Sequence, residues 1–134
     1  MRRSWILLLL ATVGCGGTAR TPNRWLIPFG YEGWITLDYE IAGAPALPIE
    51  GGARTIRIPV GASLRTSSKL EYGWATDEYL YVDGEQQAKL AWTASGGGGV
   101  VWGFTVFTSI SETRVRQCVF LGAEARFQEA GECQ

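Results

Sequence analysis

Short runs of β-branched and aromatic residues dominate the chain after residue 23, and Gly, Pro, Asn or Asp residues interrupt them roughly every eight to twelve positions. Such runs are typical of strands, and their regular interruption indicates an all-β sandwich or barrel. We therefore predict a small antiparallel β-sandwich, immunoglobulin-like or prealbumin-like, with one short C-terminal helix. An apolar content of 46% suffices for a single core in a domain that spans residues 24–134.

Alternation and turn chemistry locate the strands within this domain. In the second run, Ile35, Leu37 and Tyr39 share one face, as a half-buried strand requires. The pair Asp83-Gly84 predicts a hairpin, because both central residues of a type I′ turn need positive φ. The predicted strands are Trp25–Ile27, Trp34–Ile41, Ala53–Ile58, Ser63–Ser67, Tyr79–Val82, Ala88–Thr93, Val100–Thr108 and Arg114–Leu121.

One segment, residues 123–130, has the pattern of a short amphipathic helix. Gly131 can end it in a left-handed conformation. Phe127 shares a side with Ala123 and Ala130 by i+3 and i+4 spacing, so we expect it to face the sheet.

The N-terminus has the features of an export signal. Arg2 and Arg3 precede an apolar run from Trp5 to Thr12, which corresponds to the charged and apolar regions of a signal peptide. The run is shorter than the roughly 20 apolar residues that span a bilayer. We expect residues 1–14 to be a signal peptide.

The residues around Cys15 resemble the lipobox that lipoprotein signal peptidase cleaves. Gly14 supplies the small residue before the cysteine, although Thr12 stands where a large aliphatic is usual. We expect Cys15 to carry a lipid that holds the protein in the membrane, with residues 15–23 as a flexible tether. Gly16 stands where an inner-membrane retention signal has aspartate, so we expect the cell envelope and, within it, the outer membrane, facing the periplasm or the surface. The alternative, an ordinary signal peptide cleaved nearby, leaves Cys15 as a free thiol.

The remaining cysteines, Cys118 and Cys133, form an even pair in an oxidising compartment, and we predict a disulfide between them. It would join the helix to the last strand. A metal site is disfavoured, since the chain has no histidine and this spacing is not that of a zinc finger.

Charge argues against nucleic acid as a partner. The chain has 12 basic and 13 acidic residues, and loss of Arg2 and Arg3 with the leader leaves a formal charge of −3. The rest of the chain has no run of Lys or Arg, so the electrostatic attraction that drives nucleic-acid binding is missing.

Several motifs in order resemble a family of exported bacterial domains of unknown function. They include Leu26–Ile35 (LIPFGYEGWI), Gly43–Pro48, Leu64–Ser68, Glu71–Trp74 followed by Asp77–Tyr79, and Val119–Gly122. Phe29 stands where the family typically carries an acidic residue. The resemblance implies a single extracytoplasmic domain and no particular activity.

The absence of histidine excludes the usual Ser-His-Asp, Cys-His and His-metal mechanisms. The Gly96–Gly99 run precedes a strand, whereas phosphate-binding loops lead into a helix. We therefore assign no catalytic residue and no cofactor, and we expect a non-enzymatic module that binds a partner or interacts with the envelope.

Two alternatives remain open from the sequence. Tyr31, Trp34, Tyr72 and Trp74 lie in or beside connections and form a candidate binding surface for an envelope protein or a glycan. Packing at the ends of the core would explain the same rings. Alternatively, Glu71 with Asp77 or Glu78 could form a carboxylate-based hydrolase, if the carboxylates converge to about 5–10 Å.

Overall fold

The computed structural model describes residues 17–93, 99–108 and 115–134. The predicted signal peptide, Cys15, Gly96–Gly98 and Arg114 lie outside these residues. Within them, two sheets pack face to face, which confirms the predicted β-sandwich. The strands are β1 Asn23–Pro28, β2 Gly33–Tyr39, β3 Ile49–Glu50, β4 Ala53–Arg57, β5 Ser63–Arg65, β6 Glu78–Asp83, β7 Gln86–Lys89, β8 Val101–Thr108 and β9 Val115–Leu121.

The first sheet has the order β3-β4-β1-β6-β7 and the second has the order β5-β2-β9-β8. The prediction was an antiparallel sandwich, and the structure adds that both sheets are mixed: β1 runs parallel to both β4 and β6, and β2 runs parallel to β5, while the other pairs are antiparallel. The physical reason is the path of the chain. The chain passes through the other sheet between β1 and β4, between β2 and β5 and between β1 and β6, and connections of this length permit parallel pairing, which a hairpin does not.

The predicted hairpin forms between β6 and β7, but its turn is displaced by one residue. Asp83 pairs with Gln86 in the ladder, which leaves Gly84 and Glu85 as the connection. Only Gly84 has positive φ, at 57°, so the type I′ turn centred on Asp83-Gly84 is wrong. Strand β7 begins at Gln86 and ends at Lys89, whereas the prediction was Ala88–Thr93.

The core between the sheets follows the predicted alternation. Trp25 and Ile27 of β1 are fully buried, and Ile35, Leu37 and Tyr39 of β2 face them from the second sheet. Ile56, Tyr79, Val119 and Leu121 complete the centre of this cluster. Residues between these positions point to the outer faces, as the period of two requires.

Helix α1, Glu124–Glu129, lies over the outer face of the second sheet. The Phe127 ring centroid lies 5.1 Å from that of Trp102, 5.4 Å from Phe120 and 6.0 Å from Trp34, so Phe127 faces the sheet as predicted. The predicted Cys118–Cys133 disulfide is present and ties the C-terminal segment to β9. Of the helical segments that the structure describes, none has the length and apolar character needed to cross a membrane.

Candidate functional site

An open cleft with a volume of about 710 Å³ lies at the end of the sandwich where β1 and β6 begin. Its apolar walls include Leu70, Leu90 and Trp92, and Tyr72 stands at its edge. The polar part of the lining comes from Arg20, Glu71, Thr76, Asp77 and Lys89.

Strand pairing brings three distant parts of the chain to this cleft. Because β1 and β6 are parallel, the residues that precede them, Arg20 and Asp77, arrive at the same end of the sheet. The antiparallel β7 returns the chain to that end, where the Leu90 amide donates to the Tyr79 carbonyl at 2.8 Å. The cleft is therefore a product of topology and not of any local motif.

An ion pair between Arg20 and Asp77 braces the cleft. Both terminal nitrogens of Arg20 donate to the two Asp77 oxygens at 2.8 Å, and the Asn23 amide donates to the same carboxylate at 2.8 Å. The side chains are only 12% and 13% exposed. The hydrogen bond to Asp77 is the main cause that raises the pKa of the Arg20 guanidinium, so Arg20 stays charged.

The segment predicted as a flexible tether, residues 15–23, makes defined contacts from Gly17 onward, and its last residue begins β1. The Trp74 amide donates to the Thr18 carbonyl, and the Arg20 amide donates to the Trp74 carbonyl, both at 3.1 Å. Gly73 permits this approach: its φ is 124°, and a Cβ there would lie 2.1 Å from the Thr18 oxygen. We call residues 17–22, 69–77 and 90–92 the Cys15 end of the sandwich.

A buried polar layer lies beneath the Cys15 end. Arg54 is 4% exposed, donates to Asn23 Oδ1 at 3.0 Å and to the Lys69 carbonyl at 2.8 Å, and stacks over the Tyr39 ring. The Tyr39 hydroxyl donates to Gln117 Oε1 at 2.6 Å. Burial is the main cause that raises the pKa of Tyr39 to about 12, and burial also raises the pKa of Tyr79.

The structure brings only two of the four candidate aromatic residues together at the Cys15 end. Tyr72 and Trp74 are 69% and 63% exposed. Tyr31 and Trp34 lie beyond the other end of β1, where the Tyr31 hydroxyl donates to the Trp34 carbonyl and Trp34 packs against Phe120. The four aromatic residues therefore do not form a single binding surface.

Of the three candidate carboxylates, two lie at the cleft and one does not. Glu71 and Asp77 both line the cleft, and Glu71 accepts a hydrogen bond from the Thr21 amide at 3.2 Å. Glu78 lies on the outer face of the first sheet, paired with Arg24 at 2.9 Å. The alternation of strand residues could have predicted the outward position of Glu78, because Glu78 is adjacent to Tyr79, whose ring lies in the core.

Sequence reasoning missed Arg20, Leu70 and Trp92 as residues of the cleft. Arg20 lay in the predicted tether, where nothing marked it as a structural partner of Asp77. The spacing of Leu90 and Trp92 at the end of a predicted strand did indicate a shared apolar side. In the part of the chain that the structure describes, no group of three His, Cys, Asp or Glu side chains could hold a metal ion.

The fold resembles that of a crystal structure from Bacillus anthracis described as a "Putative Lipoprotein", with a TM-score of 0.62 and 22% identity, over 85% of this chain and 81% of that one. A comparison with curated proteins finds no match. The model of a family of unknown function, DUF6843, matches residues 19–93, which is more than half of the chain and includes β1 to β7. The chain therefore belongs to the family of unknown function DUF6843.

Proposed function

We propose that this protein is a lipid-anchored protein of the cell envelope, without enzymatic activity, that binds a partner or ligand in the cleft at its Cys15 end. The observation that carries the proposal is the position of the cleft. It opens where the chain runs back towards Cys15, so a lipid on that residue would hold the cleft close to the membrane.

The cysteine pairing supports the lipid anchor. The chain has three cysteines, and the Cys118–Cys133 disulfide uses two of them, which leaves the Cys15 thiol for modification. The apolar run after Arg2 and Arg3 supplies the export route that lipidation requires. The description of the Bacillus anthracis protein as a lipoprotein agrees with this assignment.

The lining of the cleft supports a binding role. Ligand sites commonly combine an apolar wall with a few fixed polar groups. Here Leu70, Leu90 and Trp92 supply the wall, while the Arg20–Asp77 pair fixes polar groups at one side. Their mutual ion pair leaves Arg20 and Asp77 suited to positioning and hydrogen bonding more than to proton transfer.

A glycan is a second candidate ligand, and one observation favours it. Tyr72 presents an exposed ring at the edge of the cleft, beside the Glu71 and Asp77 carboxylates. Sugar rings stack on aromatic faces while their hydroxyl groups donate to carboxylate oxygens. Tyr31 and Trp34, at the other end of β1, take no part in this form of the proposal.

Membrane fractionation tests the anchor. The native chain should be recovered with membranes and enter the detergent phase, because acyl chains on Cys15 partition into lipid. The Cys15→Ala variant should be recovered in the soluble exported fraction or retain its leader. If Cys15→Ala molecules whose leader has been cleaved were recovered with membranes as fully as the native chain, lipid anchoring would be contradicted.

Site-specific photocrosslinking in the native envelope tests the cleft. A photoreactive amino acid at Thr76, an exposed cleft residue, should give a discrete crosslinked product. The matched control is the same amino acid at Val60, which is 90% exposed and lies in the connection after β4. The same products at both positions, or none at Thr76, would contradict a binding role for the cleft.

A further inference from the structure

We propose that Trp74 is a membrane-contact residue, whose indole ring lies among the lipid headgroups of the bilayer that holds the Cys15 lipid. This inference rests on the proposed lipid anchor, but it adds a second contact and fixes which end of the sandwich faces the membrane.

Trp74 is bound to the first described residues of the chain. Its backbone pairs with Thr18 and Arg20, and its indole nitrogen donates to the Gly17 carbonyl at 3.1 Å. The side chain is nevertheless 63% exposed and does not line the cleft. A ligand bound in the cleft would therefore not account for the exposed position of this ring.

The short distance from Gly17 to the anchor places this ring at the membrane. Cys15 precedes Gly17 by two residues, and even a fully extended chain spans at most about 7 Å over that interval. A lipid on Cys15 fixes that residue at the headgroup level. An indole bonded to Gly17 then lies at the same surface, because the connection is too short to lift the domain away.

The chemistry of an indole suits this environment. Tryptophan concentrates at membrane interfaces, where its apolar ring meets lipid and its N–H finds a polar partner. Arg20 and Lys69 balance Glu71 and Asp77 at the Cys15 end, so this surface has no concentrated positive charge. The contact should therefore form on zwitterionic lipid and should not require anionic lipid.

Fluorescence quenching of the lipidated full-length mature protein tests the inference. The protein is reconstituted in phosphatidylethanolamine–phosphatidylcholine vesicles, with or without bromine atoms on the upper part of the acyl chains. Bromine quenches only tryptophans that lie close to the lipid. The mature chain has five tryptophans, since Trp5 belongs to the leader. We expect the loss of fluorescence intensity on bromination to match the contribution of one of these five.

Two variants assign the quenching. Trp74→Phe should abolish the lipid-dependent loss, whereas Trp92→Phe, a matched change in the cleft, should retain it. The native protein gives the primary result without any substitution, and a photoreactive amino acid at position 74 provides a second measurement by crosslinking to lipid. Val60 serves as its control position.

The outcomes separate this inference from the anchor. Quenching that depends on Trp74, in a sample whose Cys15 is shown by mass to carry lipid, supports it. A lipidated sample with no quenching, or with quenching unchanged in Trp74→Phe, overturns the membrane contact and leaves the anchor intact. Absence of lipid on Cys15 overturns both.

Discussion

Two regions of the sandwich hold their aromatic residues by different forces. On the outer face of the second sheet, Phe127 of α1 stacks on Trp102 and contacts Phe120, and a disulfide fixes the C-terminal segment there. At the Cys15 end, hydrogen bonds and the Arg20–Asp77 ion pair fix the backbone, while Tyr72 and Trp74 remain exposed.

The difference separates rings that stabilise the fold from rings available for contact. Burial of aromatic surface contributes to folding, whereas an exposed ring leaves that free energy to be gained on binding. The α1 region should therefore respond to reduction and to truncation of its rings. The Cys15 end should respond to pH, to loss of charge and to its surroundings.

The largest effect should follow removal of the disulfide. In a chain that begins at Gly16, replacing Cys118 and Cys133 together by Ala should lower the free energy of unfolding by about 3 kcal/mol, as chain entropy predicts for a loop of about 15 residues. Urea unfolding measures this loss, and treatment of the unsubstituted chain with a reductant should reproduce it. A loss below about 1 kcal/mol would show that the ring cluster alone holds α1.

The next effect concerns the buried layer at the Cys15 end. Burial raises the pKa of Tyr39 to about 12 from its usual 10, so the unfolded chain releases the phenol proton first as pH rises. Stability should be unaffected by this group below pH 10 and should fall between about pH 10 and 12, by about 2–3 kcal/mol.

Urea unfolding across this range measures the slope. Tyr39→Phe should flatten it in part, since Tyr79, whose pKa is also raised, continues to contribute. The variant should itself lose about 1–2 kcal/mol at pH 7, because Gln117 loses its buried partner. An unchanged slope in this variant would exclude Tyr39 as the titrating group.

Truncation of Phe127 should have a smaller effect than loss of the disulfide. Phe127→Ala should cost about 2 kcal/mol, less than a fully buried phenylalanine would, because the ring is half-buried. Thermal or urea unfolding measures it. Phe29→Ala is the matched control, since that ring is 68% exposed, and it should cost clearly less. Equal losses would contradict a stabilising role for the α1 cluster.

The smallest effect should come from the Arg20–Asp77 pair. Asp77→Asn should cost about 1 kcal/mol, because the charge that Arg20 and the Asn23 amide share is lost while one acceptor oxygen is kept. Glu78→Gln is the matched control on the more exposed Arg24–Glu78 pair, for which we expect less than about 0.5 kcal/mol. Urea unfolding at low and high salt distinguishes the pairs, and equal effects would remove the special role of Asp77.

Local patterns predicted the elements that depend on neighbours in sequence. Alternation located β2 and the face that carries Ile35 and Leu37, and i+3 and i+4 spacing placed Phe127 against the sheet. Cysteine counting found the disulfide. The two-residue β3 escaped detection because it is shorter than any period that a pattern can show.

Long-range placement could not be predicted in this way. The parallel position of β1 between β4 and β6 depends on crossings between layers, which no local period records. The cleft could not be predicted for the same reason, because Arg20, Asp77 and Trp92 come together only after the strands have paired. The difference in exposure between Trp34 and Trp74 also depends on long-range packing, because Phe127 of α1 packs against Trp34 while Trp74 remains exposed.

Mass spectrometry of the N-terminal peptide tests the central claim, that Cys15 ties this end of the sandwich to the membrane, most directly. Trypsin digestion of the denatured protein from membranes should release a peptide that begins at Cys15 and ends at Arg20. We predict that this peptide carries the mass of a lipid on its cysteine. An unmodified Cys15, or a mature chain that begins at another residue, would contradict it.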